Sequence, residues 1–235
     1  MKNMVLASSG SVYGSEFLEY LLPEIDELYK GVEEVLFIPY AQPSGISFDE
    51  YTDKVQHALN SLGIEVKGIH EYSDFRKAIK EAKAIYVGGG NTFLLVSKLY
   101  GFGLWDDLRI AIDKGVPYLG TSAGTNIIGL TMQTTNDMPI VLPPSYKTLG
   151  VVPFNFNVHY LEPSKKSKHR GETRAERIKE FHNIENTNVL GLKEGSWLRV
   201  KGESIYVRGE KKAFLFKNNK IKKIDTNTDI TEKIR

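Results

Sequence analysis

The chain has 235 residues, of which 41% are hydrophobic and 26% are charged; its net charge is +2 and it contains no cysteine. A chain of this length can bury a sizeable core, and so balanced a charge argues against nucleic acid or a membrane as a partner. The lack of cysteine excludes disulfides, thiolate metal ligands and thiol nucleophiles, and it fits a reducing compartment. The apolar run at residues 1–7 is too short for a signal peptide, so we expect a cytoplasmic protein.

The first half of the chain alternates between short apolar strands and segments with apolar residues at helical spacing. Strands are predicted at residues 5–7, 35–38, 65–69 and 84–87, and helices at 17–25, 51–62, 75–82 and 93–100. Strands separated by helices of this length indicate a parallel sheet that is covered on both faces. Ligands bind such sheets beyond the carboxyl ends of the strands.

The second half follows a different pattern. Strands or loops are predicted at residues 132–135, 140–142 and 150–158, a helix at 173–181, and strands at 197–201, 204–208 and 213–217. Gly202 and Gly209 separate the last three strands, which is typical of antiparallel neighbours. We expect the polar tail at residues 218–235 to fray. One α/β domain over residues 1–235, with an antiparallel part at its C-terminal end, is the simplest organisation.

The most informative segment is GTSAG at residues 120–124, which fits the G-x-S-x-G pattern of a nucleophile elbow. It follows a strand predicted at residues 116–119 and precedes a segment, residues 125–128, that can open a helix. A turn this sharp would expose Ser122 at a helix N-terminus, where backbone N–H groups can receive an oxyanion. The motif is short, and an ordinary glycine-rich turn between a strand and a helix is the alternative.

His159 is the best-placed base for such a serine. A serine hydroxyl needs a base to take its proton, and the base needs a group that orients it. His159 follows the segment at residues 150–158, at a strand end where an active-site base could be mounted; a purely structural histidine is the alternative. The other histidines lie on a helix face, at a strand end, in a lysine-rich loop and after a helix: His57, His70, His169 and His182.

The orienting acid has two candidates, Asp137 and Glu194. Asp137 stands in TTNDMP at residues 134–139, where Asn-Asp before a proline is also a turn signal. Glu194 precedes Gly195 and is more typical of a turn residue. The order Ser122, Asp137, His159 matches that of α/β-hydrolases, but the three lie closer together in the chain than there, which indicates a different sheet architecture.

Three glycines at residues 88–90 connect the strand at 84–87 to the helix at 93–100. They allow close approach of a ligand to the backbone, and the new helix offers free N–H groups. The functional interpretation is an oxyanion hole formed by the N–H groups of Gly90 and Ala123; a tight structural turn is the alternative. The phosphate-binding pattern G-x-x-x-x-G-K-[ST] and the dinucleotide pattern G-x-G-x-x-G are both unmatched.

Residues 164–179 are rich in lysine and arginine, without the interleaved aromatic residues that stack on bases. A solvated loop and helix face is the plain interpretation. Arg174 differs because it falls in the first turn of a predicted helix, where the helix dipole disfavours a cation. A substrate carboxylate could compensate it with two hydrogen bonds, and so could a neighbouring acidic side chain.

Taken together, these segments resemble peptidase E, the aspartyl dipeptidase family of serine peptidases. The segments that carry the resemblance run over nearly the whole chain in one order: FIPYA at 37–41, DEYTDK at 49–54, VGGGNTF at 87–93, SAG at 122–124, TTNDMPIV at 134–141, His159, GETR at 171–174 and EG at 194–195. The resemblance implies a flavodoxin-like sheet akin to class I glutamine amidotransferases, with a serine in place of their cysteine.

The resemblance also implies an activity: hydrolysis of dipeptides that begin with aspartate, without a metal or another cofactor. Ser122 would be the nucleophile and His159 the general acid and base. Asp137 is the expected third member, and Glu194 falls in a segment that could supply it instead. Binding of the substrate is expected of three residues: Gly89, Asn91 and Arg174.

Two positions depart from the family pattern, since Thr125 and Val158 stand where alanine and proline are expected. Two other functions stay open. A cyanophycinase-type hydrolase could use the same serine on a β-linked aspartyl backbone, and an inert small-molecule binding module could retain the fold. Small dipeptides are the expected partners, and the chain is expected to be a monomer or a homodimer.

Overall fold

Strands and helices alternate through the first half of the chain, as the sequence predicts. The computed structural model describes residues 1–43, 45–163 and 171–234. The strands are β1 (Asn3–Ala7), β2 (Glu34–Ile38), β3 (Glu65–Gly68), β4 (Ile85–Val87), β5 (Tyr118–Thr121), β6 (Asn155–Asn157), β7 (Val189–Gly191), β8 (Ser196–Lys201), β9 (Ser204–Gly209), β10 (Ala213–Lys217), β11 (Lys220–Ile224) and β12 (Thr228–Asp229). The α-helices are α1 (Leu22–Leu28), α2 (Phe48–Leu59), α3 (Phe75–Glu81), α4 (Thr92–Gly101), α5 (Trp105–Asp113), α6 (Ala123–Asn126), α7 (Arg174–His182) and α8 (Thr231–Ile234).

The main sheet places β5, the strand that leads to Ser122, between β1 and β4. Its order within the described chain is β12-β9-β8-β1-β5-β4-β2-β3. The five strands from β1 to β3 in this order run parallel, and β8, β9 and β12 extend the sheet in antiparallel fashion. The predicted fold class, a mostly parallel α/β sheet with an antiparallel C-terminal part, is therefore confirmed.

The helices cover both faces of the parallel strands. Successive side chains of a strand point to opposite faces, so Val35 and Phe37 of β2 enter one core while Leu36 and Ile38 enter the other. The first core lies under α1 and α2, and the second lies under α3, α4, α5 and α6. In the described part of the chain, no helix combines the length and the apolar character needed to cross a membrane.

A second sheet, with the order β11-β10-β7-β6 in the described residues, supports the segment that leads to His159. The expectation that the polar tail frays is wrong. Residues 220–224 pair with β10 and residues 228–229 pair with β9. Three isoleucines in this tail, Ile224, Ile230 and Ile234, are at most 2% exposed, and their burial anchors an otherwise polar segment.

Several predicted boundaries shift for local reasons. The helix predicted at residues 17–25 is a 3-10 turn followed by α1, whose proline lies in the first turn, the position that proline favours. Residues 132–135 and 140–142 are loops, and only residues 155–157 of the predicted 150–158 strand form β6. In this region side chains bond the backbone in place of a strand ladder: Thr134 donates to the carbonyl of Phe156 over 2.7 Å.

Candidate active site

Ser122 occupies a strained turn between β5 and α6. Its φ of 52° lies in the left-handed region, which non-glycine residues rarely adopt. A side chain at Gly120 would come within 2.7 Å of the Gly124 carbonyl oxygen, and one at Gly124 would overlap the Val87 carbonyl. Both flanking glycines are therefore needed for the turn, as the elbow motif predicts.

The Ser122 hydroxyl lies within hydrogen-bond distance of a histidine, which is itself hydrogen-bonded to a carboxylate. Oγ of Ser122 is 3.0 Å from Nε2 of His159, and Nδ1 of His159 is 2.8 Å from Oε1 of Glu194. A carboxylate at Nδ1 favours the tautomer that carries its proton there. Nε2 is then free to accept the proton of the serine hydroxyl.

Glu194, rather than Asp137, occupies the position beside Nδ1 of His159. The first-choice assignment of Asp137 is corrected by this geometry, because Oδ2 of Asp137 accepts the backbone N–H of Thr92 over 2.7 Å. That N–H begins α4, and N–H groups in the first turn have no partner within the helix and attract carboxylates. Asp137 nevertheless lines the same cleft as Ser122.

The backbone of His159 is held in place by Ser8, a residue that the sequence analysis missed. His159 has a φ of 54°, and its N–H donates to Oγ of Ser8 over 2.8 Å. Oγ of Ser8 donates in turn to the carbonyl of Leu192 over 2.8 Å. The available signal was the position of Ser8 directly after β1, at the carboxyl edge of the sheet where ligands bind.

The two departures from the family pattern take structural roles. Oγ1 of Thr125 lies 2.7 Å from the carbonyl oxygen of Ala7 and 2.9 Å from that of Gly120, which share its single proton. This buried hydroxyl therefore ties α6 to β1 and β5. Val158 is 2% exposed, and its carbonyl accepts the side-chain amide of Asn136 over 2.6 Å, which holds the chain that leads to His159.

The glycine turn after β4 lies directly beside the serine. A side-chain carbon at Gly89 would stand 3.2 Å from Cβ of Ser122, and one at Gly90, whose φ is 141°, would overlap the carbonyl of Ala41. Ala123 opens α6, so its N–H has no partner within that helix. Asn91 caps α4 by accepting the N–H of Leu94 over 3.1 Å, and it does not line the cleft around Ser122.

That cleft has a volume of about 350 Å³, within the usual range of small-ligand sites. Its lining includes Lys54, Ser122, Asp137 and His159. A larger cavity of about 830 Å³ opens over β8 and β9 around Trp197, and it contains none of the predicted site residues.

Arg174 is the first residue of α7, and Thr173 caps that helix. Burial lowers the pKa of the Arg174 guanidinium, and the nearby Glu194 carboxylate acts in the opposite direction. Nη1 of Arg174 is buried and has no hydrogen-bond partner among the described residues. Part of the basic segment, residues 164–170 with His169, lies outside the described residues.

The remaining described histidines lie away from the cleft. His57 is exposed on α2, His70 bonds Asp49 over 2.8 Å, and His182 bonds the carbonyl of Thr187 over 2.9 Å. Across the three described ranges, no group of three or more histidine, cysteine, aspartate or glutamate side chains is placed to hold a metal ion.

Ser122 lies at a strained strand–helix turn at the edge of a mostly parallel sheet, and hydrogen bonds connect it through His159 to a carboxylate. This arrangement defines a serine hydrolase of α/β architecture. The chain belongs to peptidase family S51, a family of serine peptidases, whose profile matches residues 4–208. The resemblance to peptidase E is thereby confirmed.

Individual relatives agree with this assignment. The chain is 45% identical over 219 residues to a Drosophila melanogaster protein named probable alpha-aspartyl dipeptidase, with 92% of this chain and 90% of the relative covered. It is 44% identical over 231 residues to peptidase E of Streptomyces coelicolor, covering 98% and 94%. The crystal structure of a peptidase from an acI-B1 actinobacterium shares the fold, with a TM-score of 0.73, 19% identity and coverage of 98% and 96%.

Proposed function

We propose that this protein is a serine-type α-aspartyl dipeptidase, which cleaves the peptide bond after an N-terminal aspartate. The observation that carries the proposal is the series of contacts from Ser122 through His159 to Glu194, at 3.0 and 2.8 Å, in a chain of family S51. The names of the relatives supply the substrate class.

Acylation begins when Nε2 of His159 takes the hydroxyl proton of Ser122. Oγ then attacks the carbonyl carbon of the aspartyl residue, and the N–H groups of Gly90 and Ala123 bind the oxyanion that forms. Nε2 gives its proton to the leaving nitrogen as the C–N bond breaks. The second residue departs as a free amino acid, and the aspartyl group stays on Oγ as an ester.

Deacylation repeats these steps with water. Nε2 takes a proton from a water molecule, whose oxygen attacks the ester carbonyl, and the same N–H groups bind the new oxyanion. The ester C–O bond breaks, Ser122 recovers its proton from His159, and aspartate leaves. In both stages Glu194 keeps the imidazole of His159 oriented towards Ser122 and stabilises its protonated form.

We assign recognition of the charged groups of the substrate to two charged side chains. Arg174 is half-buried at the start of α7, and its buried Nη1 has no partner in the described part of the chain; its guanidinium binds the side-chain carboxylate of the aspartyl residue. Asp137 lines the cleft beside the glycine turn and receives the free α-ammonium group. Gly89 lies against Ser122 and leaves room for the substrate backbone.

The test is hydrolysis of Asp-Leu beside Asn-Leu, Glu-Leu and N-acetyl-Asp-Leu, with the wild type and Ser122→Ala. We expect a much higher kcat/KM for Asp-Leu than for the other three, and a loss of about 10⁴-fold or more in kcat in the variant, as in other serine hydrolases. Folded wild-type protein that cleaves none of the four would refute the proposal.

We also propose a cytoplasmic location, which the absence of cysteine supports.

A further inference from the structure

Lys54 reaches the cleft around Ser122 from the opposite face of the sheet to Asp137. Both residues line the cleft. Lys54 lies on α2, which packs in the core that contains Val35 and Phe37, whereas Asp137 docks on the start of α4, which packs in the other core. The cleft therefore has a cation on one side and a carboxylate on the other.

A continuous set of contacts joins Lys54 to the nucleophile. Nζ of Lys54 lies 4.6 Å from the centre of the Phe17 ring, a distance at which an ammonium is attracted to the ring face. The Phe17 ring lies 6.3 Å from that of Tyr51, and the Tyr51 hydroxyl donates to the carbonyl of Gly89 over 3.2 Å. Gly89 abuts Ser122, so these contacts connect the exposed Lys54 to the wall of the cleft that carries the nucleophile.

Apart from its contact with the Phe17 ring, the ammonium of Lys54 has no ion-pair partner among the described residues. Glu19, which lines a neighbouring groove that Lys54 also borders, is bonded to Oγ of Ser15 over 2.9 Å and to the N–H of Glu16 over 2.8 Å. Lys54 is also the sole lysine or arginine among the described residues that line the cleft.

We propose that Lys54 binds the free carboxylate of the residue that follows aspartate, and thereby favours dipeptides over longer peptides. This inference rests on the proposed function. In a dipeptide, the α-ammonium and the terminal carboxylate flank the scissile bond, since consecutive Cα atoms are only about 3.8 Å apart. With Asp137 and Lys54 on its two sides, the cleft matches that charge pattern. A longer peptide places a neutral amide where the carboxylate would be.

The test compares kcat/KM for Asp-Leu and for Asp-Leu amide, which differ in the terminal charge. For the wild type we expect a preference for Asp-Leu of about 10-fold in kcat/KM. This corresponds to the lower end of the free-energy range for a hydrogen bond to a charged group, because the cleft is open to water. In Lys54→Met the two substrates should be cleaved equally, through loss of activity on Asp-Leu alone. Lys54→Arg should retain most of the preference.

Lys67→Met is the matched control, because Lys67 also lies over an aromatic ring, that of Tyr72 at 4.5 Å, but does not line the cleft. It should keep the wild-type preference. An equal preference in wild type and Lys54→Met would overturn the inference while leaving the proposed function intact. Wild-type protein that cleaves neither substrate would overturn both. Activity of Lys54→Met on the amide reports that the variant is folded.

Discussion

The hydroxyl of Ser8 connects the backbone of His159 to the segment that carries Glu194. It accepts the N–H of His159 and donates to the carbonyl of Leu192, both over 2.8 Å, and Leu192 lies just before Glu194 in the chain. Ser8 is fully buried, so water does not compete for these bonds. One side chain at the end of β1 thus holds both His159 and the segment that carries its partner Glu194.

Replacing Ser8 by alanine should lower kcat by about 10²-fold, because small displacements of catalytic groups carry costs of that size. The measurement is steady-state kinetics on Asp-Leu together with the melting temperature. Ser9→Ala is the control, since Oγ of Ser9 is buried without a hydrogen-bond partner in the described residues. Ser8→Ala with unchanged kcat would show that the bridge does not position the histidine.

Replacing Glu194 by glutamine should lower kcat by about 10⁴-fold, the loss seen when the carboxylate partner of a catalytic histidine is replaced by an amide. The amide has the shape of the carboxylate but cannot stabilise the imidazolium that forms. Single-turnover kinetics on Asp-Leu would measure the effect on acylation. A smaller loss than in Asp137→Asn would return the orienting role to Asp137.

Replacing Asp137 by asparagine should change recognition of the substrate amine more than it changes kcat. The amide oxygen can still accept the N–H of Thr92, so the loop should stay docked on α4. We expect a raised KM for Asp-Leu and a smaller difference between Asp-Leu and N-acetyl-Asp-Leu. An unchanged ratio of kcat/KM for the two substrates would contradict a role in binding the ammonium.

Replacing Arg174 by alanine should lower kcat/KM selectively for substrates that begin with aspartate. The matched control is Arg177→Ala on the same helix, since Arg177 is exposed and pairs with Glu172 over 3.9 Å. The measurement is kcat/KM for Asp-Leu and Asn-Leu in both variants. An equal loss on both substrates, or a loss of folding, would rule out recognition of the aspartyl side chain.

Asp107 provides a pH-dependent contribution to stability. It is 4% exposed, and its hydrogen bond to Nε of Arg76, at 2.6 Å, lowers the pKa of its carboxyl group. A lowered folded-state pKa stabilises the protein above the unfolded value of about 3.9, and the contribution is lost as the pH falls through the folded value. Asp107→Asn should therefore lower the melting temperature at neutral pH and much less in acid.

The exposed neighbour Asp106 is the control for this effect. Asp106→Asn should leave the melting temperature close to that of the wild type across the same pH range. A deficit in Asp107→Asn that stayed constant from neutral to acidic pH would show that the ion pair is not its cause.

The sequence alone determined the features that depend on near neighbours in the chain. Alternating strands and helices predicted the parallel sheet, and the spacing of Gly120 and Gly124 predicted the strained turn at Ser122. Backbone conformation, strand alternation and helix periodicity are set within a few residues, so the pattern of residue types is enough to predict them.

Only the tertiary structure decided which distant groups meet at the serine. Asp137 and Glu194 are both acidic and were both candidates for orienting His159. The path of the chain brings Glu194 to His159, whereas Asp137 accepts a hydrogen bond from the first turn of α4. The bridge made by Ser8, 151 positions away from His159, and the ordered C-terminal strands depend on pairings of the same kind. A hydrogen bond between remote segments depends on how whole strands and helices pack, which no local pattern encodes.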